Sequence, residues 1–375
     1  MVSIIKKCSK IVIIFIIVIL SLSILFLGLI GVQGGIDYIS ATRTQKNRLA
    51  ELKIFYQDNY IPIDESEFVN FDLNDTSIKL NEIQYISTHN AYKSKIRYLQ
   101  GLIMGTFSDI TEYTYDHETL TDQLNCGVRS FELDIYKHVK KGVTTFPCYH
   151  APIIDMYSNS IDMSLTLEEL ELWSDSNPGH VPITILIESK SDYLILPANE
   201  IMDLEGLNLF DELIIEKLGD KLLTPADVLG SYNTFKDMTS ANDWIPLNSV
   251  LGKIIVVYHT SDVTPEYIEQ DTSMQSQSMF PSINYESYET YSDYASFVMI
   301  GDCADERILE AVEVYNLIIR TRADDYMYED LGELQEAEGL GAQMITTDYP
   351  PRTDYKEGDY ISYLDGQYTV ISSND

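Results

Sequence analysis

A chain of 375 residues with 59 acidic side chains against 25 lysines and arginines carries a formal net charge of −34 at pH 7. Such a surface repels polyanions. It excludes nucleic-acid binding through a basic footprint, and admits anionic lipid only where a metal ion or local Arg/Lys groups reverse the field. With 45% hydrophobic residues the chain can bury a large core, and an α/β barrel uses about 250 residues as one unit.

Residues 11–32, from Ile11 to Val32, carry no charge. At about 1.5 Å per helical residue the run spans roughly 33 Å, the thickness of a bilayer core. Lys6, Lys7 and Lys10 precede it, and positive charge stays on the cytoplasmic side. Residues 1–35 are therefore expected to be a signal anchor, with the remainder extracytoplasmic. A cleaved signal peptide, which would leave a secreted protein, is the competing reading. Its apolar region is usually about 7–15 residues, and Gly31-Val32-Gln33-Gly34-Gly35 is a poor cleavage pattern. Residues 36–80 read as a connector, of mixed charge and weak helical periodicity over Thr42–Tyr56. Of the cysteines, Cys8 precedes the apolar run, and Cys126, Cys148 and Cys303 follow it. Their spacing matches no zinc or CxxC motif and singles out no disulfide.

From residue 80 onward, short β-branched or aromatic runs alternate with longer polar or helical stretches. The predicted strands are Ile83–Thr88, Arg129–Ile135, Thr144–Tyr149, Ile183–Glu188, Lys253–Tyr258, Ser296–Ile300, Leu317–Thr321 and Ala342–Thr346. Helical patterns lie between several of them, as at Leu165–Ser174 and Ala304–Tyr315. Eight strands interleaved with helices fit a (β/α)8 barrel. A doubly wound open sheet fits the pattern nearly as well, but neither GxGxxG nor a P-loop follows any strand, which counts against nucleotide binding.

Barrel chemistry gathers at the C-terminal ends of strands, and there the polar residues fall. His89-Asn90 follows the first predicted strand, Glu132 and Asp134 lie in the second, His150 closes the third and Glu188 closes the fourth. Glu132 and Asp134 are two apart, so both face one side of their strand while Phe131, Leu133 and Ile135 face the other. Two neighbouring carboxylates repel unless a cation or a proton neutralises one. With Glu188 and the Asn90 amide oxygen they make four oxygen ligands without nitrogen or sulfur, a set for calcium or magnesium rather than zinc. Calcium accepts irregular geometry and suits a site drawn from three strands better. A lone Glu-x-Asp or a lone His is usually a solvated or packed residue; the conjunction at four strand ends carries the argument.

Ser87-Thr88-His89-Asn90-Ala91-Tyr92, Phe131-Glu132-Leu133-Asp134, Tyr149-His150 and Ile187-Glu188 together resemble the catalytic half of phosphoinositide-specific phospholipase C. Leu172-Trp173-Ser174-Asp175-Ser176-Asn177-Pro178-Gly179-His180 is similar to the microbial calcium-dependent branch. Ile318–Asp324 and Gly341–Tyr349 are similar to its final two barrel strands. The resemblance covers roughly residues 80–350. It implies a distorted TIM barrel over residues 81–350, with a C-terminal tail at 351–375, cleaving phosphatidylinositol in a membrane. The inositol 2-hydroxyl attacks phosphorus, diacylglycerol leaves and a cyclic inositol phosphate forms. By matching positions, Asn90, Glu132, Asp134 and Glu188 hold Ca²⁺, His150 protonates the leaving alkoxide, His89 stabilises phosphoryl charge, and Glu132 is either ligand or base.

Eukaryotic members carry lysines near the end of the fifth strand that grip ring phosphates. Here the stretch reads Ile254-Ile255-Val256-Val257-Tyr258-His259, which favours unphosphorylated phosphatidylinositol or a related glycolipid. Lys190 and Arg322 are the remaining candidates for phosphate or inositol contact, each with a plain alternative as a surface charge. A glycerophosphodiester phosphodiesterase on the same barrel is the alternative enzyme, but that family usually has His-Arg where this chain has His89-Asn90. A catalytically inactive membrane-tethered binding module is the non-enzymatic alternative, and the presence of both histidines speaks against it.

Overall fold

Eight parallel strands close into a barrel in the computed structural model, which describes residues 2–57, 60–107, 111–191, 196, 198–324 and 329–372. They are β1 (Ile83–Thr88), β2 (Ser130–Ile135), β3 (Ile183–Ser189), β4 (Ile254–Tyr258), β5 (Phe280–Asn284), β6 (Phe297–Asp302), β7 (Ile318–Arg322) and β8 (Met344–Thr347). Each pairs with the next in parallel. Tyr85↔Met344 through Thr88↔Thr347 join β1 to β8 and remove the sheet edge.

Strand periodicity of two sorts the side chains. Phe131, Leu133 and Ile135 of β2 and Ile183, Ile185 and Ile187 of β3 face outward. They are buried against Leu167, Leu170 and Trp173 of the Met163–Ser176 helix and Phe210 and Ile214 of the Leu204–Leu218 helix. Inside, Tyr85, Leu186, Ile255, Val257, Phe280 and Met344 fill the N-terminal part of the barrel. Towards the C-terminal end the interior turns polar, because Glu132, Asp134 and Arg320 occupy the inward positions.

The N-terminal helix runs unbroken from Val2 to Phe55. Its apolar part is long enough to cross a membrane and is exposed, with Phe15 at 65% and Leu27 at 65%. From its last turn onward Ile30, Gly34, Asp37, Ala41, Gln45 and Leu49 are buried, a stripe at the three-to-four-residue spacing of one helix face. The segment expected to be a connector thus begins inside this helix, whose second half packs on the barrel. The flanks then wrap the barrel's N-terminal end. Glu65 ion-pairs with the fully buried Arg129 and accepts from the Val181 N–H at 2.9 Å. Val370–Ser372 adds antiparallel to β1, Ile83 opposite Ser372.

Two strand expectations need correction. Thr144–Tyr149 is not a barrel strand: Val143–Thr145 pairs antiparallel with Lys137–Lys140, both on the excursion between β2 and β3, in a small sheet completed by Asn199–Glu200 from the connection after β3. The barrel strand not expected from the sequence is β5, whose Pro281 argues against a central strand because it cannot donate to the ladder. The total of eight was right although one member was not. His150 consequently does not close a barrel strand but sits in the loop that follows this small sheet.

Candidate active site at the C-terminal mouth

Register brings the acids together. Asp134 stands directly opposite Glu188 across the β2–β3 ladder, and Glu132 opposite Leu186 one layer deeper. Carboxylate oxygens of Glu132, Asp134 and Glu188 lie within 4.8 Å of one another. Asn90, just past β1, adopts φ 48°, a left-handed conformation that Asn tolerates better than most residues. It lets the chain turn at once and keeps the Asn90 amide at the mouth. The Tyr92 hydroxyl bridges this amide to the acids, 3.0 Å from Asn90 Oδ1 and 2.8 Å from Asp134 Oδ2. Asn90 Nδ2 donates to the Tyr115 hydroxyl at 2.8 Å.

Two cations face these acids, and a third stands beside Asp348. Arg320, on the inner face of β7, donates to Glu132 Oε2 at 2.7 Å and to Thr346 Oγ1 at 3.0 Å. Lys190 Nζ lies 2.6 Å from Glu188 Oε1 and 3.1 Å from Asp134 Oδ2. Arg322 is 3.7 Å from Asp348 Oδ2. Burial alone raises the Glu132 carboxyl, but the charges of Arg320 and His89 outweigh it and hold it below the usual range. Asp134 goes the other way: burial raises it, Lys190 opposes, and Glu188 and Glu132 add to the rise.

Each histidine is held at Nδ1 by a buried carboxylate. His89 Nδ1 is 2.6 Å from Asp348 Oδ1, and its Nε2 is 3.7 Å from Glu132 Oε1. Burial works against charge on this ring, but Glu132 and Asp348 together lift its pKa above the ordinary value. His150 Nδ1 is 3.1 Å from Asp155 Oδ2, and Asp155 also binds Lys93 Nζ at 2.7 Å. The carboxylate fixes the ring tautomer and leaves Nε2 as the working nitrogen.

The structure therefore gathers His89, Asn90, Glu132, Asp134 and Glu188, with Lys190 among the acids and Arg322 beside Asp348. His150 stands on its loop, tied to Asp155. The sequence reading passed over Arg320, Asp348, Asp155, Tyr92 and Tyr115. Three had a signal. Asp348 directly follows β8, at the kind of strand end where polar residues gather. Arg320 shares the inner face with Arg322 by the same alternation that paired Glu132 with Asp134. Tyr92 lies in the Ser87–Tyr92 motif that carries the resemblance, whereas Asp155 and Tyr115 come from loops and had no signal.

A cation suits this donor set. The three carboxylates offer only oxygen, and Asp134 Oδ1 is buried with no hydrogen-bond partner among the described residues, a costly arrangement unless a positive charge meets it. All-oxygen sets of irregular shape favour calcium.

A model of the family described as phosphoinositide phospholipase C, Ca²⁺-dependent, matches residues 78–149 and 142–373. No curated protein sequence matches the chain. Among solved structures, a calcium-dependent phosphoinositol-specific phospholipase C from the Gram-negative bacterium Pseudomonas sp. in its apo form superposes with TM-score 0.57 at 19% identity, covering 83% of this chain and 100% of that one. Its myo-inositol complex gives 0.57 at 18%, covering 83% and 99%. A Ca²⁺-dependent phosphatidylinositol-specific phospholipase C from Streptomyces antibioticus gives 0.54 at 18%, covering 72% and 95%. At such identities these structures speak to the shared barrel.

Proposed function

Because the chain belongs to the calcium-dependent phosphoinositide phospholipase C family, we propose that it cleaves the phosphodiester of phosphatidylinositol or a related inositol glycolipid. The inositol 2-hydroxyl attacks phosphorus, the bond to the diacylglycerol oxygen breaks, and a cyclic inositol phosphate forms. The observation that carries this reading is the convergence of Glu132, Asp134 and Glu188 within 4.8 Å, with His89 3.7 Å from Glu132.

Asn90, Glu132, Asp134 and Glu188 would hold Ca²⁺, which when bound would supply positive charge for the phosphate oxygens and the attacking hydroxyl. Glu132, kept ionised by Arg320, serves as ligand or accepts the hydroxyl proton. His89 Nε2 presents positive charge to the phosphoryl oxygens. His150 Nε2 hands its proton to the departing alkoxide, with Asp155 behind the ring. Lys190 and Arg322 supply positive charge for phosphate or inositol oxygens. The N-terminal helix is a retained anchor: its apolar run passes without a break into the buried stripe that starts at Ile30, so cleavage after the run would cut into a packed helix. Lys6, Lys7 and Lys10 then place the barrel on the extracytoplasmic side.

The test is phosphorus NMR of the full chain in phosphatidylinositol vesicles, with calcium and with a chelator. Calcium-dependent formation of a cyclic inositol phosphate is expected. Release of glycerol phosphate from glycerophosphodiesters, with none of the cyclic product, would overturn the assignment.

A further inference from the structure

His150 has no strand beneath it. From Tyr149 to Asp162 the chain runs through turns and single bridges, so the placing of the imidazole depends on what packs against that loop. The neighbour is the N-terminal helix. A Cβ built on Gly34 would stand 2.4 Å from the Ile153 carbonyl oxygen and 2.9 Å from the Ile153 Cα. Helix backbone therefore meets loop backbone with no room for a methyl group, and neither side is a flexible side chain that could swing away. Ile153 is itself held at φ 71°, a conformation that a β-branched residue keeps only where its surroundings impose it.

The strained residue sits inside a closed turn. The backbone N–H of Ala151 donates to the Asp155 carbonyl at 3.2 Å, and that of Asp155 to the Ala151 carbonyl at 2.9 Å. Asp155 is the residue whose carboxylate holds His150 Nδ1 at 3.1 Å. On the other flank Ala41 and Tyr38 of the helix pack with Tyr149. Further along, Arg48 donates to the Asn159 carbonyl at 2.6 Å, and Gln45 accepts from the Asp162 N–H at 2.9 Å. One face of the helix thus grips the loop before, at and after the histidine.

We infer that Gly34 of the N-terminal helix is a positioning residue for His150: its contact with Ile153 sets the turn from which Asp155 aims the imidazole. The inference rests on the reading of His150 as the group that protonates the leaving alkoxide. It also makes the membrane-spanning helix part of the active-site architecture, since Gly34 lies two residues beyond the end of the apolar run at Val32.

The experiment compares Gly34→Ala with Gly35→Ala in the full chain in detergent micelles. Gly35 has nothing within 4 Å of its Cβ direction, so it controls for adding a methyl to the same helix. Turnover is measured on phosphatidylinositol, whose alkoxide needs a proton, and on an aryl ester of inositol phosphate, whose phenolate does not. Gly34→Ala is expected to lower turnover on the lipid about ten-fold or more and on the aryl ester less than about two-fold. Gly35→Ala is expected to leave both unchanged. An equal loss on both substrates, or no loss, overturns the inference. His150→Ala in the same assay separates the two readings. If it shows the leaving-group split and Gly34→Ala does not, only the positioning role falls; if neither shows it, both fall. Should Gly34→Ala fail to fold, Ile153→Gly leaves the backbone contact in place but frees the turn to depart from φ 71°; it is expected to give the same split, and a uniform effect there is equally fatal.

Discussion

Lys190 stands where a cation is wanted, 2.6 Å from Glu188 and 3.1 Å from Asp134, so it both relieves the repulsion of the acids and competes with any metal ion for them. Lys190→Met is expected to raise calcium affinity, on the order of ten-fold by calorimetry, because one positive charge leaves the site. The same variant loses stability in chelator. Arg320 gives the opposite case. Its guanidinium and Glu132 are both buried, the latter at 4% exposure, so Arg320→Met strands a carboxylate inside the barrel. The expected cost is about 3–5 kcal/mol in chelator by urea unfolding. If the variant matches wild type there, Glu132 is not ionised in the way its surroundings dictate.

Elements are tied down at places remote from the mouth. Glu65, on a short turn before the barrel, reaches Arg129 at the start of β2 and the Val181 N–H just before β3. Glu65→Ala should therefore cost about 3–5 kcal/mol of folding stability, far more than its position in a polar flank suggests. The adjacent His180 is buried and neutral: its Nδ1–H donates to the Val181 carbonyl at 2.7 Å and its Nε2 accepts from Ser174 at 2.8 Å. Burial depresses its pKa to about 4 from 6.5. A depressed folded-state pKa means that the stabilisation is complete above pH 6.5 and is lost as the pH falls through about 4, a loss of roughly 3 kcal/mol. His180→Gln, which cannot titrate, is expected to flatten the fall of melting temperature between pH 6.5 and 4. An unchanged slope would assign the acid lability elsewhere, for example to Glu65, whose own pKa Arg129 holds down against burial.

At the scale of the whole molecule, the helix is both the membrane-spanning candidate and a piece of the folded domain. Asp37 is buried at 2% exposure and accepts from Gln33 at 2.8 Å and Gln100 at 2.9 Å. Arg48 pairs with Glu169 at 2.7 Å on the Met163–Ser176 helix. A chain beginning at residue 30 keeps this face and is expected to fold, whereas one beginning at residue 57 uncovers Tyr136, Tyr149 and Met156. If that exposure costs about 3 kcal/mol, melting falls by roughly 5–10 °C. Equal melting temperatures for the two chains would mean that the packing contributes no stability.

The sequence by itself determined eight strands interleaved with helices, the apolar segment, and the inward-facing Glu132 and Asp134, while the barrel rather than an open sheet followed from the family resemblance. Strand alternation and the rule that polar residues gather at strand ends are local properties that a residue and its neighbours carry. Asn90 and Glu188 were legible by the same rule. Only the tertiary structure decided which strands pair: Thr144–Tyr149 reads as a barrel strand, yet Val143–Thr145 takes Lys137–Lys140 as its ladder partner, while β5 enters the barrel in spite of Pro281. It also decided who neutralises whom, since Arg320 meets Glu132 across 188 residues of chain and His89 meets Asp348 across 259. And it decided that one face of residues 36–55, at Asp37, Ala41, Gln45 and Leu49, is buried. One helix face becomes a structural surface only when a partner lies against it, and the partner here, the loop of His150, is more than a hundred residues away along the chain.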